Sequence, residues 1–539
     1  KVGVVVDGLT FFFFCFMVSH IMALLEVLIL LSIILYLLYK WSTLTYGTFK
    51  EQGIPHDSPK PLIGNTNISV IRGKKSFLLE IIEVHQRYKD SKVYGSYMMR
   101  DPIYVIRDVE LIKKITISDF ESFPNHKSML TAEEDNIFNK SLVALQDRKW
   151  KEVRNTLTPA FTGSKMRLMF DLINECCLEG VKYLKEDTKA GGKQELELEM
   201  KEFFRRFAND VIATAAFGIK VNSFKDQNNE FYTIGRTVTK NSAWTLFKAF
   251  LYILIPKVMR ALRVKVMNVK LINYFNHLVL DAMRYRKLHN IIRPDMIHLL
   301  MEAKKHYEET KSTQTDEHAE FNDKDLVAQC LLFFFAGFET VSTCLSFTAH
   351  ELLENPDVQQ RLYEEIVDVE MELDGKPLNY DKLVQMKYMD MVLSESLRKW
   401  PPAVATDRVC SKDYTLTDND ENIVISLKKG DLIFVPIFGI HYDPEHFANP
   451  MKFDPERFSD EQKHNIKPYT YLPFGAGPRN CIGNRFALME TKAIIYHILL
   501  HFKIVASSKT TKDMINSIRG LQMQPVELFQ VKLEPREAV

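Results

Sequence analysis

The densest group of residues able to do chemistry is Pro473-Phe-Gly-Ala-Gly-Pro-Arg-Asn-Cys-Ile-Gly-Asn484, followed at once by an amphipathic stretch. Gly475, Gly477 and Pro478 make a tight loop whose backbone amides can approach a ligand, and the helical pattern begins just after Cys481. A cysteine there meets free N–H groups and the positive end of a helix dipole. Both lower its pKa and favour the thiolate, the form that binds metal. A lone cysteine is more often a buried, inert side chain, so the loop needs company. Three further patterns supply it. Phe333-Phe-Phe-Ala-Gly-Phe-Glu-Thr340 sets an acid and a hydroxyl in an apolar run that would otherwise reject them, with Ala336 and Gly337 removing bulk beside them. Glu395-Ser-Leu-Arg398 places opposite charges on one helical face, a weak pattern when it stands alone. Trp150-Lys-Glu-Val-Arg154 aligns an indole N–H with a guanidinium.

The string FGAGPRNCIG resembles the haem-binding loop of the cytochromes P450 at every defining position, and the other three patterns resemble motifs of the same family. The resemblance runs from Pro55 onward and is closest to the microsomal, broad-specificity branch. TPAFTGSKM (158–166) and DVIATAAFGIKVNS (210–223) resemble insect detoxification members. It implies that Cys481 is the thiolate ligand of haem b (iron protoporphyrin IX), pushing electron density onto the iron and favouring O–O cleavage. Trp150, Arg154, Arg408 and Arg479 would hold the propionates, with Ala336, Phe474 and Gly483 also lining the cofactor site. Thr340 would organise water for proton delivery, with Glu339 assisting in relay. Val341 follows where many relatives carry a second hydroxyl, and Ser342 is the nearest substitute. Arg457, in Pro455-Glu-Arg-Phe458, would complete a buried ionic triad with Glu395 and Arg398 that serves folding and haem-pocket assembly. His441 and His350 have no haem-ligand context and are read as structural.

By family position the substrate pocket falls on the loop from Phe120 to Phe138, on Phe334, Phe335 and Phe338, on Ala403 to Thr406 including Val404, and near Gly520 and Leu521. Such a pocket favours lipophilic substrates. The implied activity is insertion of one oxygen atom from dioxygen into xenobiotics such as insecticides and plant toxins. No GxGxxG follows a strand, so electrons from NADPH must arrive through a partner. NADPH-cytochrome P450 reductase is the expected donor, with cytochrome b5 as a second, docking against Lys149, Lys151 and Arg485. Haem-thiolate isomerases and dehydratases are the rival class, but they commonly lose the acid–threonine pair or disturb the cysteine loop, and this chain keeps both. A non-catalytic haem sensor or carrier would not need Glu339 and Thr340.

These groups must be positioned by a large body. The chain has 539 residues, with 70 lysine plus arginine against 69 aspartate plus glutamate, a balance that gives no support to nucleic-acid binding. Seven cysteines without paired CxxC spacing argue against a structural zinc site or a disulfide framework, and suit a reducing compartment. The apolar run Met22–Tyr39 reads as a retained transmembrane helix. Lysines at 40, 50, 60, 74 and 75 then place the body on the cytosolic side, at the endoplasmic reticulum membrane. Residues 1–16 yield no reading, and Met17 or Met22 is the candidate initiator. The expected organisation is an anchor (1–45), a stiff proline-rich linker (46–65) and one catalytic domain (66–539). Periodicity predicts helices over 166–184, 201–217, 325–353, 356–372 and 381–399, with strands near 104–106, 414–416, 423–427 and 432–436. The polar stretch 304–323 reads as a surface loop. The fold class is mainly α with a minor β-sheet, the cytochrome P450 fold.

Overall fold

The computed structural model describes residues 7–537, apart from 128–136, 191–194, 312–320, 419–422 and scattered positions within 240–268 and 520–528. Helix α1 (Asp7–Thr43) starts well before the expected run, because no glycine or proline interrupts residues 9–43 and the phenylalanines at 11–14 and 16 continue the apolar sequence. Its 37 residues span roughly 55 Å, more than the ~30 Å of a bilayer core. The helix is long and apolar enough to cross a membrane, and its side chains from Phe11 to Tyr39 are exposed, covered by nothing among the described residues.

Residues 46–65 do not form the extended connector expected of them. No long helix forms across the prolines, but Phe49 is fully buried between Tyr97 and Tyr104, with ring centroids 4.8 and 5.1 Å away. Gly95 is required for that approach, since a Cβ there would come within 2.3 Å of the Phe49 ring. Gly95 N–H donates to the Pro55 carbonyl and Asn65 N–H to that of Tyr97, so the segment is stitched to the body.

The sheet that it joins has the order β1-β2-β7-β4, from β1 (Val93–Met98), β2 (Asp101–Ile106), β4 (Thr406–Val409) and β7 (Leu432–Val435). β2 and β7 run parallel and the other pairs antiparallel. A hairpin pairs β5 (Tyr414–Thr417) with β6 (Val424–Leu427), and a three-stranded sheet joins β3 (Leu196–Glu199), β9 (Gln530–Pro535) and β8 (Phe502–Ala506).

Helices form the rest of the body: α2 (Asp147–Leu157), α3 (Gly163–Ala190), α4 (Met200–Ile212), α5 (Asp323–Glu354), α6 (Lys387–Lys399) and α7 (Asn484–His501). α5 crosses the centre, packed on α4, α6 and α7. It is apolar enough to pass for a membrane span, but two-thirds of its apolar window is buried, and it opens on a reciprocal capping box between Asn322 and Asp325. The expected helix 381–399 is two helices, Tyr380–Gln385 and α6, broken at an extended Met386. The break is stabilised by Glu365, which accepts the Tyr388 and Met389 N–H groups at 2.8 and 2.9 Å and so caps α6. The polar stretch read as a loop from residue 304 is helical up to Lys311, within the helix Met296–Lys311.

Candidate active site

Two adjoining cavities, of about 270 Å³ and about 230 Å³, share His126, Thr340, Val341, Arg479, Cys481 and Ala487 on their walls. They form a chamber between α5 and the cysteine loop that leads into α7. The loop is tied by Gly475 N–H to the Leu472 carbonyl at 3.0 Å and by Cys481 N–H to the Phe474 carbonyl at 2.9 Å. Gly475 and Gly477 have φ of 72° and 71°, and a Cβ on Gly477 would lie 1.9 Å from the Thr116 carbonyl oxygen. No other residue fits there. α7 begins at Asn484 with Gly483 as its N-cap, so Cys481 lies just ahead of the free N–H groups. Its side chain opens onto the chamber. The sequence suggested a lowered thiol pKa, but burial raises it, and the Gly483 N–H and the Arg154 charge only partly offset this.

Positive charge concentrates at one edge. Arg154 donates to the Asn480 carbonyl and side-chain Oδ1, both at 2.9 Å. Arg479 lies 4.1 Å over the Trp150 ring and donates to the carbonyls of Pro124, Leu142 and Leu145. Arg408 is 1% exposed and donates to the Asp407 and Ala476 carbonyls, while its buried Nε has no hydrogen-bond partner among the described residues. Burial and repulsion from Arg408 and Arg154 bring Arg479 down to about 9, and burial brings Arg408 down to about 10. A buried group of guanidiniums with an unused donor suits a ligand that brings negative charge to this edge. With a sulfur opening onto the same chamber, the donor set fits haem: a thiolate for the metal and cations for two carboxylates.

Across the chamber, α5 presents Phe333, Ala336, Gly337 and Thr340, a helical face at spacing three, four and seven. The Thr340 hydroxyl donates to the Ala336 carbonyl. Glu339 is on another face: its carboxylate pairs with Lys201 at 3.0 Å and Arg205 at 3.2 Å on α4, so the relay expected of it beside Thr340 is not assembled. Burial brings Lys201 down to about 8 despite this partner. Ser342 does not replace the missing hydroxyl, since it is fully buried and donates to the Phe338 carbonyl.

The same periodicity corrects the expected pocket. Phe334 and Phe338 are each 1% exposed and lie in an aromatic cluster with Phe217, Phe231 and Phe275, turned off the chamber. Phe335 packs against Phe138 instead. Ala403, Phe474 and Gly483 do line the chamber, but Val404 does not; its carbonyl accepts the Phe438 N–H at 2.9 Å. Leu521 and Gly520 lie outside the described residues. Sequence reasoning missed Phe333, which counting back seven residues from Thr340 would have found. His126, within the loop from Phe120 to Phe138 that was expected to reach the pocket, does line the chamber and is held by the Asp407 carboxylate at 3.1 Å.

Glu395 and Arg398 are fully buried and paired through two bonds of 2.8 Å, and Arg457 reaches Glu395 at 3.4 Å. Arg398 also donates to the carbonyls of His441 and Lys452. The three side chains thus tie α6 to the segment preceding the cysteine loop.

A sulfur facing a chamber rimmed by cations fits the class of haem-thiolate proteins. The chain belongs to the cytochrome P450 family, whose model matches residues 55–533. It is 51% identical over 95% of its length to probable cytochrome P450 9h1 of Drosophila melanogaster, covering 99% of that protein. It is 49% identical over 96% of its length to cytochrome P450 9c1 of the same fly, again covering 99%. Cytochrome P450 3A16 of Mus musculus is similar at 35% identity, with 96% of this chain and 98% of the mouse protein covered. The chain is thereby a monooxygenase-type oxidoreductase with haem as the cofactor its family implies, acting with a redox partner.

Proposed function

We propose that this protein inserts one atom of dioxygen into lipophilic xenobiotics, insecticides and plant toxins among them, at the endoplasmic reticulum membrane. The observation that carries this reading is the chamber itself, whose walls join Cys481 and the arginine edge to the apolar groove of α5. Haem bound there supplies dioxygen activation at its iron.

Cys481 is the metal ligand, and its loop keeps the sulfur at a fixed height through the Phe474 hydrogen bond. Trp150, Arg154, Arg408 and Arg479 hold the propionate edge. Ala336 and Gly337 leave room in the chamber that a substrate would enter, and Phe333, Leu332 and Val341 keep that space apolar. The Thr340 hydroxyl, while donating to the Ala336 carbonyl, keeps acceptor capacity and would hold a water in the groove by accepting its hydrogen bond, orienting that water for proton delivery. Glu395, Arg398 and Arg457 act through folding and take no part in the chemical step.

Electrons come from NADPH through NADPH-cytochrome P450 reductase, with cytochrome b5 as a second donor. Lys149, Lys151 and Arg485 offer the docking charge; the first two pair weakly with Asp325 at 4.0 Å and Glu121 at 3.1 Å, and remain available at the surface. Lys40 in the last turn of α1 and the lysines at 50, 60, 74 and 75 beyond it support a cytosolic orientation of the body.

The test is turnover of a lipophilic panel by the full chain in reductase-containing vesicles under isotopically labelled dioxygen. One labelled oxygen per product, dependent on NADPH and reductase, is expected. Unlabelled product formed without reductase would assign the chain to the rearranging class.

A further inference from the structure

We propose that His441 is a positioning residue for the thiolate ligand: it transmits the placement of α6 to the start of the cysteine loop. The inference rests on the reading of Cys481 as the haem ligand. His441 ends the short helix Ile437–His441 and is fully buried. Its Nδ1 lies 2.9 Å from the Arg398 carbonyl oxygen. A carbonyl can only accept, so Nδ1 carries the proton and Nε2 is left as an acceptor. Nε2 meets the Leu472 N–H at 2.9 Å. The two bonds use both ring nitrogens of the neutral imidazole, one as donor and one as acceptor.

The connection runs both ways. Arg398 returns a hydrogen bond from its guanidinium to the His441 carbonyl at 3.0 Å, while its other donors grip Glu395. On the far side, the Leu472 carbonyl accepts Gly475 N–H and the Phe474 carbonyl accepts Cys481 N–H. His441 is thus two hydrogen-bonded steps from the backbone turn that sets the height of the sulfur. The preceding residue, Tyr471, lies against the imidazole at 5.7 Å with an interplanar angle of 20°, and its hydroxyl donates to the Ser394 carbonyl on α6. Together the ring contact and the two nitrogen bonds fix the segment entering the loop against the helix that carries the buried ion pair. A residue that merely filled space would need no such donor and acceptor at opposite ends.

The experiment compares the full-length holoenzyme with His441→Phe, His441→Asn and His441→Gln. The readout is the lifetime of the thiolate-type Soret band of the reduced, carbon monoxide-bound protein, held below its melting temperature. Phenylalanine keeps the bulk and loses both bonds, and asparagine reaches Arg398 but not Leu472. Both should lose the thiolate band roughly tenfold faster than the native protein, a change of about 1.4 kcal/mol, while haem stays bound and helix content is unchanged. Glutamine carries the same amide as asparagine on a side chain one methylene longer, so that its NH2 and its oxygen reach both partners, and should restore most of the lifetime. Native lifetimes in both the Phe and Asn variants, or equal losses in all three that follow melting temperature alone, would overturn the proposal. Should the Phe variant not fold, hydrogen exchange in the native holoenzyme decides: a peptide spanning Leu472 should hold one slowly exchanging amide that becomes fast in the Asn variant, and an amide equally slow in both refutes it. If the native protein itself lacks the thiolate band, the functional reading fails instead, so the two failures are distinguishable.

Discussion

Replacing Glu395 by glutamine keeps the shape of the side chain and removes its charge. Glu395 and Arg398 are both at 0% exposure, and the carboxylate accepts two bonds of 2.8 Å from Arg398, one of 3.4 Å from Arg457 and one of 3.0 Å from Asp454 N–H. In the variant, Arg398 remains cationic and fully enclosed but meets no opposite charge from residue 395: the glutamine amide oxygen, the His441 and Lys452 carbonyls and the rings of Tyr442 and Phe447 are all neutral. Leaving one member of a buried ion pair without its partner costs ~3–5 kcal/mol. Over the body spanning 55–533, roughly 2 cal/mol/K per residue gives about 1 kcal/mol per degree, so melting should fall by about 3–5 °C. The assay is the thermal transition of the ferric holoenzyme by circular dichroism at matched haem content. Exchanging both partners, Glu395→Leu with Arg398→Met, should cost less than the sum of the single changes, because no charge is then stranded. A Glu395→Gln transition within about 1 °C of native, or strict additivity in the double variant, would refute the reasoning.

The α5 geometry separates two neighbouring phenylalanines. Phe334→Ala empties a buried aromatic cluster and should destabilise by ~3–5 kcal/mol in thermal melts, whereas Phe333→Ala opens the chamber and should chiefly change which lipophilic ligands shift the haem spin state. The reverse pattern would place the wrong face of α5 over the chamber. Acid should destabilise the fold through buried neutral histidines: burial holds His441 and His497 at about 3 and His350 at about 4. The unfolded chain takes up protons near pH 6.5 while the folded chain does not, so stability falls as pH drops below about 6.5, by up to ~1.4 kcal/mol per unit for each group. Denaturant midpoints unchanged between pH 6.5 and 4.5 would contradict this. The charge reversals Lys149→Glu and Lys151→Glu together should slow first-electron transfer from the reductase in stopped-flow reduction without changing substrate-induced spin shift, and an unaltered reduction rate would remove that face as the docking site.

Much of the site was legible because its chemistry is written contiguously. Gly475 and Gly477, ahead of Cys481, sit where left-handed φ demands them, with a close backbone approach at Gly477, and Glu395 and Arg398 are one helical turn apart, so local spacing sufficed. What escaped depends on contacts distant in sequence. A run of three phenylalanines does not say which member faces the chamber until α5 is set against α4, and the pairing of Glu339 with Lys201 and Arg205 follows from the same packing. The docking of residues 46–65 needed Gly95 and Tyr97, some fifty residues on, to make a slot for Phe49. The short strands β1, β3, β4, β8 and β9 have little local signal, and β3 exists only through its pairing with β9, more than three hundred residues away. His441 stands in no motif, and its partner Leu472 becomes a neighbour only in the folded chain.

The sulfur of residue 481 is tested most directly by the carbon monoxide difference spectrum of the reduced, haem-loaded protein. The native chain should give the thiolate-type Soret band, and Cys481→Ser, with haem still bound, should give none. A thiolate-type band that survives the serine exchange, in a chain whose other cysteines remain in place, would mean that the iron is held elsewhere.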